Sequence, residues 1–130
     1  MKKNKTILVV EDEKPLRTAL RDKFTREGFT VVEAKNGKDG LATALREQPD
    51  LILLDIVMPV MDGMTMLKKL KAENAWAKTV PVIILTNLTS ANEQRLQDIT
   101  ATEPSYYLEK TSWKIEDIVE KVKDILQLPA

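Results

Sequence analysis

The chain of 130 residues is long enough for one domain with a sizeable core, and we expect residues 1–130 to form that single domain. Lys and Arg together number 20 and equal the 20 acidic residues, so the formal net charge is zero and no global charge attracts nucleic acid or an anionic membrane. Cysteine and histidine are absent, which excludes disulfides, thiolate metal sites and a histidine base or metal ligand within the chain.

Short β-branched runs alternate with amphipathic stretches along the chain, a pattern typical of parallel βα units. Gly and Pro residues lie between these runs and predict where helices begin and end. In chain order, the predicted elements are a strand at 7–10, a helix from Pro15 to Gly28, a strand at 30–34, a helix between Asn36-Gly37 and Gln48-Pro49, a strand at 51–54, a helix after Gly63, a strand at 80–85, a weaker helix at 91–99, a strand at 106–108 and a last helix capped by Thr111 or Ser112.

Five such units in a small domain predict an α/β fold with a single five-stranded parallel sheet and five helices on both faces. We assume the flavodoxin-like strand order 2-1-3-4-5, which the sequence alone does not establish. In open sheets of this kind, ligands bind beyond the carboxyl ends of the strands, at the point where the winding direction reverses. The informative residues are therefore those that follow each strand.

Charged or hydroxyl-bearing residues follow four of the predicted strands. Glu11 and Asp12 follow the first strand, Asp55 the third, Thr86 the fourth and Lys110 the fifth. If the first and third strands are neighbours, three carboxylates meet, and carboxylates about 4 Å apart repel by ~4 kcal/mol at an effective dielectric near 20. Oxygen ligands without His or Cys favour a hard cation, Mg²⁺ first and Mn²⁺ as the alternative. With a lysine charge and a threonine hydroxyl nearby, such a pocket suits a phosphoryl group, and Asp55 is the candidate nucleophile.

Four stretches carry a family resemblance: VVEDE at 9–13, LLDIVMPVMDG at 53–63, VPVIILT at 80–86 and YYLEK at 106–110. In this order and spacing they resemble the receiver domain of two-component response regulators, and the resemblance covers nearly the whole chain. It implies a phosphorylation-dependent signalling switch of a phosphorelay. Such a regulator is not an enzyme in the ordinary sense, but it takes part in its own Asp phosphorylation and slow dephosphorylation.

The resemblance also implies a role for each matching residue of the metal site. Asp55 accepts a phosphoryl group from a partner phosphohistidine. Asp12 and Asp55 bind Mg²⁺ directly together with the backbone carbonyl of Val57, and Glu11 helps through water. The competing interpretation is that Glu11 and Asp12 only favour the N-terminus of the following helix through its dipole, which is compatible with metal binding.

Further implied roles concern the phosphoryl group and the switch. Lys110 pairs with the phosphoryl oxygens, and Thr86 hydrogen-bonds to one of them. Tyr107 is the switch aromatic, although a slip of one residue would exchange it with Tyr106. We read Asp62 and Gly63 as loop geometry, with Gly63 allowing a positive φ.

The implied partners are a sensor histidine kinase or histidine phosphotransfer protein as phosphodonor and a downstream protein target, with a phosphorylation-linked homodimer as a further output. Direct nucleic acid and membrane contacts are not expected. The lack of cysteine and of a signal peptide fits a cytoplasmic protein. No effector domain follows residue 126, so the chain is either a complete single-domain regulator or a receiver excised from a longer protein, and both remain open.

Some positions depart from the family pattern. Thr111 stands where a proline usually follows the lysine, and Asn87 replaces a small residue after Thr86, so the output face is expected to be unusual. Val57 and Leu88 flank the route of a hydrolytic water and are apolar, which predicts slow self-dephosphorylation.

Three other functions compete with the receiver interpretation. A haloacid dehalogenase-type phosphatase needs a second acid at position 57, where this chain has Val57. A flavin carrier needs a Ser/Thr/Gly-rich phosphate loop after the first strand, where this chain has acids. A pseudo-receiver that binds without phosphorylation stays open, because the departures at Thr111 and Asn87 leave room for it.

Overall fold

A computed structural model describes residues 5–55, 60–86, 105–109 and 114–128 of the chain. One parallel sheet of five strands runs through the molecule in the order β2-β1-β3-β4-β5. The predicted α/β fold with a parallel sheet is confirmed. The strands are β1 Thr6–Val10, β2 Thr30–Ala34, β3 Leu51–Asp55, β4 Val82–Thr86 and β5 Ser105–Glu109.

Five helices lie within the described residues, but they are not the same five that the sequence predicts. Four correspond to predicted helices, whereas the predicted helix at 91–99 lies outside the described residues. The fifth is one short turn of helix before β4, which the sequence did not predict. The helices are α1 Lys14–Arg26, α2 Gly37–Glu47, α3 Gly63–Lys71, α4 Ala75–Thr79 and α5 Ile115–Ile125. None of them is long and apolar enough to cross a membrane.

The sheet is covered on both faces, and alternate residues of each central strand enter two separate cores. In β3, Ile52 and Leu54 pack with α2, α3 and α4, while Leu51 and Leu53 pack with α1 and α5. This two-sided burial explains the continuous apolar sequence of the strand. All five residues of β3 are buried, so Asp55 is a carboxylate at the end of a fully enclosed strand.

One backbone prediction for the segment before α3 is wrong. Gly63 is the first residue of α3, and the positive φ predicted there is wrong. Val60 has a positive φ of 68°, and its side chain is 76% exposed. Asp62, read from the sequence as loop geometry, is the N-cap of α3, and its side chain accepts a 2.8 Å hydrogen bond from the amide of Thr65.

The start of the last helix also differs from prediction. Neither Thr111 nor Ser112 is the cap, since Lys114 is the residue that precedes α5. The start is fixed from inside the helix, where the carboxylate of Asp117 accepts a 2.8 Å hydrogen bond from the Lys114 amide. An acid at the third helical position can thus replace a Ser or Thr cap.

Candidate metal and phosphoryl site

The register of the sheet brings the acidic residues to one edge. β1 pairs with β3 so that Val10 lies beside Leu54, and the next residues along the two strands are Glu11 and Asp55. Asp55 pairs in turn with Leu85 of β4. Asp55 and Glu11 are 5% and 1% exposed, respectively. The assumed neighbour relation of the first and third strands is therefore confirmed, and it is the reason that these carboxylates meet.

Glu11, Asp12 and Asp55 form a cluster, in which one carboxylate oxygen of each lies within 4.8 Å of the others. Asp12 is exposed to solvent while the other two are buried. Around an octahedral Mg²⁺ with bonds of about 2.1 Å, ligand oxygens lie about 3 Å apart when adjacent and about 4.2 Å when opposite. The cluster therefore fits one hard divalent cation after small side-chain movements, and its purely oxygen ligands match that class of ion.

Hydrogen bonds to β2, within the loop and to α1 hold the loop that carries Glu11 and Asp12. The amide of Glu11 donates to the carbonyl of Ala34 at 3.1 Å and so continues the pairing with β2. The amide of Glu13 donates to Oε2 of Glu11 at 3.1 Å. Arg17 of α1 donates from one guanidinium nitrogen to the carbonyl of Glu11 at 2.8 Å and to that of Asp12 at 3.5 Å.

The chain before α3 is held against α2. The amide of Gly37 donates to the carbonyl of Met61 at 2.9 Å, and a Cβ atom on Gly37 would collide with that carbonyl oxygen. One turn later, a Cβ atom on Gly40 would lie 2.9 Å from side-chain atoms of Met66 and Val10. These two glycines let α2 pack closely on the chain before α3, on α3 and on β1.

The other predicted site residues are placed only in part. Thr86 is the last residue of β4 and pairs with Glu109, and Tyr107 pairs with Ile84. The predicted residues that lie outside the described part of the chain are Val57, Asn87, Leu88, Lys110 and Thr111.

The sequence does not indicate two residues that hold the loops after β1 and before α3. Arg17 looks like one of several charged residues on an amphipathic helix, and only the fold shows that its side chain reaches back to the loop before that helix. Gly37 was read as part of a turn, whereas it is the first residue of α2 and contacts Met61. An Asn-Gly pair ahead of an apolar stripe is the one signal that could have indicated a tightly packed helix start.

The chain is similar to known proteins along almost its whole length. A sequence profile of the response regulator receiver domain matches residues 7–123. Probable transcriptional regulatory protein TcrX of Mycobacterium tuberculosis is 34% identical over 122 residues, which are 94% of this chain and 50% of that protein. The chain thus spans half the length of that relative.

Solved structures of the same fold include two that bear on the site. The receiver domain of the Francisella response regulator 1452 superposes with a TM-score of 0.81 at 28% identity, covering 95% of this chain and 98% of that one. The CheX-CheY-BeF3-Mg+2 complex from Borrelia burgdorferi gives a TM-score of 0.79 at 25% identity, covering 93% of this chain and 88% of the matched one. From its sequence, sheet order and acidic cluster, the chain belongs to the response regulator receiver domain family, whose members act in phosphorylation-dependent two-component signalling.

Proposed function

We propose that Asp55 accepts a phosphoryl group from the phosphohistidine of a sensor histidine kinase or a histidine phosphotransfer protein. The observation that carries this proposal is the convergence of Asp55 with Glu11 and Asp12, whose carboxylate oxygens lie within 4.8 Å of one another at the carboxyl edge of the sheet. A buried strand end holds the attacking oxygen in place, which favours an in-line reaction over reaction at a mobile surface acid.

In the transfer step, one oxygen of Asp55 forms a bond to phosphorus while the phosphorus–nitrogen bond of the donor breaks. The electron pair of that bond stays on the imidazole nitrogen, which then takes a proton from solvent. The products are an aspartyl phosphate and a neutral histidine. A divalent cation at the acids, Mg²⁺ or Mn²⁺, supplies positive charge that offsets the repulsion between the carboxylate and the phosphoryl oxygens. Asp12, Asp55 and the carbonyl of Val57 would hold it directly, with Glu11 acting through water.

The remaining residues take their proposed roles from the family pattern. Lys110 pairs with the phosphoryl oxygens, Thr86 hydrogen-bonds to one of them, and Tyr107 responds as the switch aromatic. The phosphorylated surface then binds a downstream protein target or a second copy of the chain, in the cytoplasm. The apolar Val57 and Leu88 make the loss of phosphate slow.

Intact mass spectrometry after incubation with acetyl phosphate and Mg²⁺ tests the proposal. The wild type should gain about 80 Da, the mass of one added phosphoryl group. Asp55→Asn should gain nothing, and Asp12→Asn should gain much less than the wild type. Asp124→Asn is the matched control, because it removes an exposed acid of α5 far along the chain from the cluster.

The same experiment decides between the receiver and its main rival. A pseudo-receiver would show no mass gain in the wild type under conditions in which a known receiver is phosphorylated. An equal gain in Asp55→Asn would instead show that another residue accepts the group, and the assignment of Asp55 would be wrong.

A further inference from the structure

Arg17 of α1 connects the loop that carries Glu11 and Asp12 with strand β2. Its guanidinium donates to the main-chain carbonyl of Glu11 at 2.8 Å and reaches the carbonyl of Asp12 at 3.5 Å. On its other side, Nε lies 3.5 Å from Oε1 of Glu33 in β2. The two side chains are 17% and 30% exposed, so this ion pair is partly shielded from water.

The contact matters because Arg17 binds the backbone of the loop and not its carboxylates. The two carbonyls belong to the residues whose side chains enter the cluster, so the guanidinium helps to fix the peptide planes from which those side chains extend. A charge-assisted hydrogen bond to a carbonyl is stronger than a neutral one. Without it, the carbonyl of Glu11 needs another donor, and the loop loses a contact to α1 that its pairing with β2 and its internal bond to Glu13 do not replace.

We propose that Arg17 is a positioning residue of the metal site, held by Glu33, which fixes the backbone of Glu11 and Asp12 so that their carboxylates converge with that of Asp55. The proposal rests on the proposed function for the identity of the metal. It adds a residue that binds neither the metal nor the phosphoryl group and acts through the loop that carries two of the acids.

Arg21 provides a matched control on the same helix. It lies one turn after Arg17 and shares the same partner, with its NH1 3.4 Å from Oε2 of Glu33. Its other ion pair is with Asp22 at 3.1 Å, and its side chain is 43% exposed. Replacing either arginine removes one positive charge and one contact to Glu33, but only the replacement of Arg17 removes the bond to the loop carbonyl.

The first measurement is the Mg²⁺ dissociation constant by isothermal titration calorimetry of the full chain. Arg17→Met should bind Mg²⁺ about tenfold more weakly than the wild type, the lower end of the effect seen when a residue supporting a metal ligand is lost. Arg17→Lys keeps the charge without the planar fork and should fall between the two. Arg21→Met should bind as the wild type does. Equal affinity in Arg17→Met and Arg21→Met overturns the proposal.

The second measurement needs no metal and separates this inference from the proposed function. In the metal-free protein, hydrogen exchange of the Glu13 amide reports on the loop, because that amide donates to Oε2 of Glu11. The exchange should be faster in Arg17→Met and unchanged in Arg21→Met, with thermal unfolding measured for both to confirm folding. If the wild type binds no Mg²⁺, the proposed function fails, while unchanged exchange in both folded variants overturns the role of Arg17 itself.

Discussion

Asp55→Asn removes one of three carboxylates that lie together, and we expect the metal-free variant to be more stable than the wild type. One oxygen of each carboxylate lies within 4.8 Å of the others, and at that distance two unit charges repel by about 3 kcal/mol at an effective dielectric near 20. That value applies to Asp55 with Glu11, because both are buried. Asp12 is exposed, and water reduces its repulsion with Asp55 to about 1 kcal/mol. Other interactions of Asp55 and Glu11 offset part of this sum, so we expect a net gain of about 1 to 3 kcal/mol.

Urea unfolding in EDTA measures the stability of the metal-free proteins, and urea unfolding in saturating Mg²⁺ measures how much the metal stabilises each of them. In EDTA, the free energy of unfolding should be higher for Asp55→Asn than for the wild type, while Asp124→Asn should leave it nearly unchanged. Mg²⁺ at a hundred times its dissociation constant should stabilise the wild type by about 2.7 kcal/mol and the variant by much less. The reasoning is refuted if Asp55→Asn is no more stable than the wild type in EDTA and gains as much from Mg²⁺.

Three further predictions follow from single contacts. Val60→Asn should raise the free energy of unfolding by about 1 kcal/mol, because a β-branched residue at φ 68° is strained and Asn tolerates this region. Val60→Ala should leave the free energy of unfolding nearly unchanged. A lower free energy of unfolding in Val60→Asn would contradict the explanation. Gly37→Ala should lower the free energy of unfolding by about 1 to 3 kcal/mol, because the new methyl group collides with the carbonyl of Met61, and an unchanged urea midpoint would show that α2 can move away. A hydrogen bond from Lys123, together with its charge, lowers the pKa of Glu27 from its usual value of 4.5, so the pair stabilises the fold above pH 4.5 and this contribution is lost as the pH falls through the lowered pKa. The difference in unfolding free energy between the wild type and Glu27→Gln should therefore vanish in acid. A difference that persists in acid would contradict this reasoning.

The sequence predicts the sheet well because its central strands β1, β3 and β4 are buried on both faces and bounded by turn residues. Gly28 ends α1 with φ 95°, as the glycine there suggests. The short helix α4 was missed because five residues give too few turns for a periodic apolar stripe to be recognised. Its only local indication is Asn74, whose side chain accepts a 2.8 Å hydrogen bond from the amide of Ala77.

The acidic cluster could be predicted because it depends on strand ends, and strand order alone brings those ends together. The contacts that support the cluster depend instead on how helices pack over the sheet. Arg17 lies five or six residues after the acids whose carbonyls it binds, a separation that helical periodicity does not connect. Similarly, Gly37 is needed because of Met61, which is distant in sequence and close only after α2 packs on the loop.

The central claim is that Glu11, Asp12 and Asp55 hold one divalent cation at the carboxyl end of β3. An anomalous difference map from a crystal soaked in Mn²⁺ tests it most directly, because Mn²⁺ takes the same oxygen ligands as Mg²⁺ and scatters anomalously. The account predicts a single strong peak at bonding distance, about 2.1 Å, from carboxylate oxygens of Asp12 and Asp55. A crystal whose Mn²⁺ peaks all lie elsewhere, with no density between these carboxylates, would contradict it.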